Sequence, residues 1–244
     1  ARGGTDRTPE TKEMEPSAIW RARGEALVEQ CEAALWSDAG QSVRRWLNTE
    51  RMLTDETIKR YRLGYIPTDS NERADKWGID KQDHKPIWLP RGVVIPCYGP
   101  GGLYSIKFRR PLDAMQERRG ERKYIHVTGG KPGIFGYENL RGAWLAVFCE
   151  GEFDAMLFDQ EAYKEAGIAT FGSCSARPSH FDPAHWLYLG AILHWVVAYD
   201  RDAAGAEGAQ AFVGEVKRAQ ILCLPEFEGK DITDYRKSGG DLVD

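Results

Sequence analysis

Several features that mark particular protein classes are scarce or missing in this chain of 244 residues. Its five cysteines are widely scattered and form no CxxC or CxxH pair, so the sequence predicts neither a disulfide framework nor a zinc site. It has no run of about 18 apolar residues, so it predicts no transmembrane helix and no membrane partner. The polar start has neither an apolar signal-peptide core nor an initiator Met, and we therefore expect a cytoplasmic fragment of a longer protein.

The chain also lacks internal repeats and low-complexity tracts, and its five histidines share no spacing that would favour metal ligation. What it does contain is 42% hydrophobic and 11% aromatic residues, which is ample for a packed core. The sequence therefore predicts a globular protein of one large or two modest domains.

The net charge of -4 conceals an uneven distribution. Residues 1–142 carry 25 Lys and Arg against 20 Asp and Glu, whereas residues 143–244 carry 8 against 17. A basic first part can simply be a solvated surface. Its combination with an acidic second part favours a polyanionic ligand that reaches across both.

The first part of the chain predicts a mixed α+β region. Residues 1–16 are expected to be a linker or disordered. Apolar spacing predicts a helix over 17–36 and another that begins near Val43, and Thr54 is a suitable N-cap for a third helix that Gly64 would stop. The polar stretch 69–90 predicts a loop or an irregular lobe. A hairpin is predicted from strands at 93–98 and 103–109, with a further strand at 124–127.

From residue 143 the pattern changes to strands that alternate with helices. Strands are predicted at 144–149, 168–171, 192–199 and 220–224, and helices at 153–166, from about 179, and at 203–218. Continuous apolar strands between such helices indicate a parallel sheet of βαβ units. The fold class is therefore α/β, a parallel sheet flanked by helices and preceded by the basic α+β region. The predicted boundaries are 17–142, 143–236, and 237–244 as the start of a truncated C-terminal region.

Three acidic clusters stand out in the second part, and each is expected to close a strand. They are Glu150, the pair Asp200 and Asp202, and the pair Asp231 and Asp234. Carboxylates at the carboxyl ends of parallel strands form a site for Mg²⁺ and phosphate, which points to phosphoryl or nucleotidyl transfer. Two alternatives remain open: Asp202 is also a suitable helix N-cap, and the ion could be a structural Ca²⁺.

In this order, the Glu-Gly and Asp-x-Asp elements resemble those of a Toprim domain, the metal-binding module of primases, topoisomerases and certain nucleases. The resemblance covers about residues 143–236. It implies that Glu150, Asp200 and Asp202 coordinate Mg²⁺ or Mn²⁺, and Asp154 matches an acidic position of the first motif in primases. Asp231 and Asp234 are further metal-ligand candidates.

The preceding segments SVRRWLNTERMLTDETIKRYRLGYIP, GVVIPCYGPGGLYSIKFRRP, KYIHVTGG and GIFGYENLRG resemble the catalytic core of DnaG-type primases. The resemblance implies synthesis of RNA primers from ribonucleoside triphosphates on single-stranded DNA, with a replicative helicase in trans or fused. It also implies a groove for template and nucleotide, lined by Lys107, Arg109, Arg110, Lys123 and Tyr124. Lys107 and Arg109 alternate on one strand face, which suits binding of a phosphate chain.

The sequence departs from the primase pattern at two places. Arg201 stands between the two acids of the Asp-x-Asp motif, where Gly is frequent, and either contacts phosphate or pairs with Glu207. Thr233 replaces a usual acid, so the third metal ligand stays open. Arg201 and Lys230 are further nucleotide-binding candidates. The zinc-ribbon domain of the family has no counterpart in this segment, and no zinc is expected.

Two other functions remain as alternatives. A Toprim nuclease would use the same acids to activate water, although the primase-like first part disfavours it. A non-catalytic nucleic-acid-binding module of a mobile-element replication protein is favoured only by the altered third acidic motif.

Overall fold

The computed structural model describes residues 15–80, 85–113, 122–162, 166–170 and 189–242. The described helices are α1 (Ala18–Trp36), α2 (Gln41–Glu50), α3 (Asp55–Arg60), α4 (Glu152–Glu161), α5 (Ala203–Glu215) and α6 (Ile232–Lys237). The described strands are β1 (Gly64–Ile66), β2 (Ser70–Glu72), β3 (Ile87–Leu89), β4 (Gly92–Gly99), β5 (Gly102–Arg109), β6 (Tyr124–His126), β7 (Leu145–Cys149), β8 (Ala166–Thr170), β9 (His194–Ala198) and β10 (Ala219–Ile221). Among these residues, no helix is long and apolar enough to cross a membrane.

The three N-terminal helices begin where their caps predict. The Ser17 hydroxyl accepts a hydrogen bond from the Trp20 amide at 3.2 Å, and Thr54 caps α3 in the same way. The prediction that Gly64 stops α3 is wrong, because the helix already ends at Arg60 and Gly64 begins β1. A β-carbon at Gly64 would lie 2.4 Å from that of Cys31, so the glycine instead lets β1 pack closely against α1.

The first sheet is antiparallel, with strand order β1-β4-β5-β6, and it confirms the predicted hairpin and the strand that follows. Helix α1 covers this sheet because Trp20, Leu27 and Val28 form one core cluster with Ile106 and Phe108 of β5. The region is therefore a mixed α+β unit, as predicted.

The predicted loop over 69–90 contains a small sheet that the sequence did not indicate. Strands β2 and β3 pair antiparallel, with a short 3-10 helix at Ala74–Trp77 between them. Trp77 is fully buried against Trp20, and its indole nitrogen donates to Glu72 at 2.9 Å. Three-residue strands are too short to carry an alternating pattern, so this prediction failed.

The second sheet is fully parallel, with strand order β10-β9-β7-β8. Its strands carry buried side chains on both faces, such as Val147, Phe148 and Val197. Such burial explains the continuous apolar runs in the sequence. The predicted α/β class with a parallel sheet after an α+β region is confirmed.

Two predicted helix ends in this half are wrong. Helix α4 ends at Glu161 and not near 166, because Ala166 already pairs with Leu145 in the sheet. Helix α5 ends at Glu215 and not at 218, since Ala219 is needed in β10. The helix predicted from about 179 lies outside the described residues.

The cysteines differ in how far they are buried. Cys31, Cys97 and Cys149 are free and buried, whereas Cys223 is free and exposed. Cys174 lies outside the described residues.

The two sheets are held together by a shared core and a polar chain. Phe153, Met156 and Leu157 of α4 belong to the same core cluster as apolar side chains of α2 and α3. Next to this core, the Tyr61 hydroxyl donates to Asp159 at 2.6 Å and accepts from the Asn139 amide at 2.7 Å. These contacts fix the first half of the chain against the second. The domain boundary near residue 142 stays a prediction.

Candidate active site

Two of the predicted acids meet because their strands are neighbours. Glu150 directly follows β7, and Asp200 lies just after β9, which pairs with β7 in parallel register. The Asp200 amide donates to the Glu150 carboxylate at 3.3 Å. Burial and the neighbouring charge of Asp200 raise the pKa of Glu150 above its ordinary value, and burial likewise raises the pKa of Asp200. A cation placed between them would favour their charged forms.

Asp202 joins this pair and also caps a helix. One of its carboxylate oxygens accepts from the Gly205 amide at 2.9 Å at the start of α5. This hydrogen bond, followed by contact with Lys230, lowers the pKa of Asp202. A β-carbon at Gly205 would lie 2.0 Å from the Asp200 carbonyl oxygen, so the glycine permits the tight turn between the strand and α5. The N-cap interpretation is thus confirmed, and the second oxygen still faces the site.

Lys230 lies between the two aspartates. Its ammonium donates to Asp200 Oδ2 at 2.7 Å and to Asp202 Oδ2 at 3.0 Å. These two hydrogen bonds hold the lysine pKa well above its usual range. A single positive charge therefore occupies the gap between the acids that were predicted to hold a cation.

The third acidic cluster does not close a strand, which corrects the prediction. Strand β10 ends at Ile221, and Asp231 is instead the N-cap of α6, where it accepts from the Asp234 amide at 2.8 Å. The Asp234 carboxylate is used locally, since it accepts from the Lys230 amide at 3.0 Å. Both carboxylates thus serve local hydrogen bonds, but the charge of Asp231 also raises the pKa values of Asp154 and Asp200, so Asp231 is the better placed of the two to act as a third ligand.

Asp154 lies beneath this surface, in the first turn of α4. Its carboxylate accepts from the Thr233 hydroxyl at 2.8 Å, so the residue that replaces the usual third-motif acid serves a buried partner. Burial, followed by repulsion from Asp231, raises the pKa of Asp154 from 3.8 to about 7. A buried carboxyl that binds its proton this tightly destabilises the folded state once it ionises.

We therefore expect Asp154→Asn to change how stability depends on pH. In the wild type, the folded state binds the Asp154 proton more tightly than the unfolded state does. The stability that this proton contributes is complete below about pH 4 and is lost as the pH rises towards 7, at about 1.4 kcal/mol per pKa unit. The measurement is urea unfolding in EDTA from pH 4 to 8. Because all other titrating groups are shared, the variant should gain stability relative to the wild type as the pH rises, and a constant difference would contradict the prediction.

Two of the residues predicted to line the groove, Lys107 and Arg110, are buried. Lys107 is only 6% exposed, and its ammonium forms an ion pair with Glu152 in the first turn of α4. Arg110 is 2% exposed and stacks over the Trp88 ring at 5.1 Å. Strand alternation explains why Arg110 faces away from Arg109, whereas Lys107 shares the face of Arg109 and is held back by its buried partner.

Arg109 lies close to a second arginine, Arg51, that was not among the predicted groove residues. Arg109 lies 4.6 Å from the centre of the Trp46 ring, and Arg51 lies 5.3 Å from the same ring and 5.0 Å from that of Phe153. The Nε atoms of both arginines are buried without a hydrogen-bond partner in the described part of the chain. The signal for Arg51 was available, since it lies within the primase-like segment at 42–67.

Lys123 and Tyr124 complete the basic side of the site. The pKa of Lys123 is lowered by burial and then by repulsion from Arg109, Arg51 and Lys230, so these cations lie within reach of one another. No described carboxylate forms an ion pair with Arg51, Arg109 or Lys123. Burial raises the pKa of Tyr124 to about 12, and its ring packs between the ammonium groups of Lys107 and Lys123.

Arg201 is exposed and forms no ion pair with Glu207 among the described residues, and its contact with phosphate stays a prediction. Its guanidinium lies 4.7 Å from the centre of the Phe227 ring. Its backbone amide donates to the Lys230 carbonyl at 2.7 Å, which joins the Asp-x-Asp loop to the turn that carries Lys230.

A cavity of about 450 Å³ adjoins the basic side. Trp46, Tyr65, Val93 and Leu112 supply apolar lining, and Arg109 forms part of its wall. The volume lies in the range of small-molecule sites, so the cavity is large enough for a nucleobase next to Arg109.

Comparison with known proteins finds similarity both in the second part of the chain and over most of its length. A Toprim-like family model matches residues 147–236. The RNA polymerase domain of Mycobacterium tuberculosis primase DnaG superposes with a TM-score of 0.68 at 21% identity, over 91% of this chain and 80% of that one. The chain has the fold of a DnaG-type primase RNA polymerase domain.

Other relatives agree with this fold. The DnaG primase catalytic domain solved with single-stranded DNA has a TM-score of 0.64 at 17% identity, and the match covers 91% of this chain and 75% of that one. A DNA primase of Synechococcus elongatus is 26% identical over 235 residues. The alignment covers 84% of this chain but only 33% of that relative, so the chain spans about a third of its length.

A Toprim-like region is a divalent-metal-binding module, and the donor set in this DnaG-type fold suits such an ion. Among the described residues, no three His, Cys, Asp or Glu side chains stand close enough together to form a complete metal site. The side chains at the two strand ends nevertheless offer only carboxylate oxygens, which hard divalent cations prefer. The Lys230 ammonium stands in for a cation between two of them.

Proposed function

We propose that this chain is the catalytic core of a DNA primase, which joins ribonucleotides into short RNA primers on single-stranded DNA. The observation that supports it most is that cations of the first half of the chain lie close to Lys230 and to an acid of the second half. The pKa of Lys123 responds to Arg51 and Arg109 on one side and to Lys230 and Asp231 on the other, which ties the two sets together. A metal-bound polyphosphate matches both sides at once.

In this proposal the acids hold the metal and the cations hold phosphate. Glu150, Asp200 and Asp202 would bind Mg²⁺ or Mn²⁺, with Asp231 as a third-motif ligand. Held by these carboxylates, such an ion would supply a Lewis acid that lowers the pKa of the attacking 3′-hydroxyl and offsets the charge on the α-phosphate. Asp154 supports the site from beneath through Thr233.

Arg51, Arg109 and Lys123 would bind the triphosphate or the template backbone. Their contribution is electrostatic stabilisation and positioning, which is the main work of a protein in phosphoryl transfer. Lys107 and Arg110 are not part of this proposal because both are buried. The cavity beside Arg109 would receive a base of the bound strand or nucleotide.

The wider context is also proposed. The DnaG relatives solved with double-stranded and with single-stranded DNA support a nucleic-acid partner. A replicative helicase in trans or fused, a cytoplasmic location, a linker at 1–16 and a C-terminal region from 237 remain predictions.

Incorporation of labelled ribonucleotides on mixed-sequence single-stranded DNA tests the proposal. We expect synthesis that requires Mg²⁺ or Mn²⁺ and high concentrations of protein and template, since the affinity for DNA should be roughly micromolar or weaker, as is typical of non-specific contacts. Start-site choice should be poor in this chain alone and should improve when a zinc-ribbon domain is supplied.

The alternatives give different results in the same experiment. Cleavage of the DNA strand without added nucleotides would favour a Toprim nuclease, and binding without any metal-dependent incorporation would favour a non-catalytic module. Efficient initiation at one preferred trinucleotide would contradict the expected division of labour, because template selection would then reside in these 244 residues.

A further inference from the structure

The Lys230 side chain is held between the acids by charge and not by packing. It is 55% exposed, yet its ammonium contacts one oxygen of Asp200 and one of Asp202. An exposed ammonium on a flexible stem has little reason to stay in one position unless the acids attract it. The position of the ammonium therefore marks the point at which a positive charge interacts most favourably with both carboxylates.

The backbone of Lys230, in contrast, is fixed on both sides. Its amide donates to the Asp234 carboxylate at 3.0 Å, and its carbonyl accepts from the Arg201 amide at 2.7 Å. Gly229 precedes it with a φ of 127°, and a β-carbon there would lie 2.4 Å from that of Asp234. The turn is thus anchored to the Asp-x-Asp loop, and only the lysine side chain is free to swing.

A divalent ion cannot share this position with the ammonium. Mg²⁺ binds oxygen at about 2.0–2.1 Å. An ion bound to the Oδ2 atoms of Asp200 and Asp202 would use the oxygens that Lys230 contacts at 2.7 and 3.0 Å. Binding of the ion there must therefore release the ammonium, which remains tethered beside the site with three donors that no longer contact these two oxygens.

We propose that Lys230 is a built-in counter-ion of the Asp200–Asp202 pair, which yields its place to the metal ion and then binds phosphate of the metal-bound nucleoside triphosphate. This inference rests on the proposed function, and it adds a coupling between two ligands. Without nucleotide, the lysine competes with the metal and weakens its binding. With nucleotide, the released ammonium gains a phosphate partner, so each ligand strengthens the binding of the other.

The test is Mn²⁺ binding to the whole chain, measured by electron paramagnetic resonance with and without a non-hydrolysable ribonucleoside triphosphate. The variant is Lys230→Met, which removes the charge and keeps most of the length. Without nucleotide it should bind Mn²⁺ roughly twofold to tenfold more tightly than the wild type, as expected from the loss of two exposed ion pairs. The nucleotide should increase Mn²⁺ affinity in the wild type and much less in the variant.

Lys237→Met is the matched control, because this lysine forms an exposed ion pair with Glu50 and takes no part in the site. Equal or weaker Mn²⁺ binding by Lys230→Met, an equal gain in the Lys237 variant, or no Mn²⁺ binding by either protein would overturn the inference. Catalysis is not needed for this measurement. A chain that fails to incorporate ribonucleotides but shows the predicted Mn²⁺ shift would reject the primase proposal and keep the role of Lys230.

Discussion

Asp200→Asn and Asp202→Asn are each expected to lower ribonucleotide incorporation by roughly a hundredfold or more, which is the scale of losing one preorganised electrostatic group. Each change removes a negative charge from the proposed metal site with almost no change in volume. Asn caps a helix about as well as Asp, so the side chain at position 202 can still accept the hydrogen bond from the Gly205 amide.

The folded state should tolerate both changes. Lys230 loses one of its two partners in either variant and keeps the other. The loss of one exposed ion pair lowers the free energy of unfolding by only about 0–1 kcal/mol. Removal of a negative charge also relieves repulsion from Glu150, which stabilises the folded state. The melting temperature without metal should therefore shift little or rise slightly.

Incorporation rates and thermal unfolding of the two variants are the required measurements. Asp75→Asn is the matched control, because this aspartate pairs with Arg73 next to the small sheet of β2 and β3. The control should retain full activity. Activity like that of the wild type in both site variants would reject the assignment of these residues to the metal site.

Arg51→Met and Arg109→Met are expected to weaken binding of single-stranded DNA or triphosphate more at low salt than at high salt. Loss of one phosphate contact lowers the salt dependence of the logarithm of the binding constant by about 0.7 for a single strand. Methionine keeps part of the packing against Trp46, so the folded state should be preserved.

Lys123→Ala should act in the same direction. Arg73→Ala is the control, since its guanidinium is 68% exposed and already paired with Asp75. Binding is followed by fluorescence anisotropy of labelled DNA at several salt concentrations. An equal loss in the control would mean that the positive surface acts as a diffuse field and that the three site cations are not special. Arg118, which we expected to matter little, lies outside the described residues.

The sequence predicted the parts of the site that depend on local order. Glu150 and Asp200 could be placed together because each follows an apolar strand and parallel strands end at one edge of a sheet. Helix caps such as Ser17 and Thr54 could also be predicted from the sequence, since their hydrogen bonds span only three residues.

The contacts that failed all depend on distant parts of the chain. Lys107 was assigned to phosphate because nothing in the sequence indicates that Glu152 neutralises it in the interior. Asp231 was assigned to a strand end, although it caps a helix brought back to the site by the turn at Gly229. The participation of Arg51 depends on how α2 packs against α4. Such pairings follow from the tertiary fold and leave no periodic trace in the sequence.

The shared core has a consequence for how this activity can be inherited or engineered. The arginines lie on one half, the carboxylates on the other, and Leu53 and Ile58 pack in the same cluster as Phe153 and Met156. A cut near residue 142 would expose these side chains on both pieces, so neither piece would be a soluble module to graft elsewhere. The smallest unit that recombination can move between proteins while keeping a working cleft is therefore both halves together.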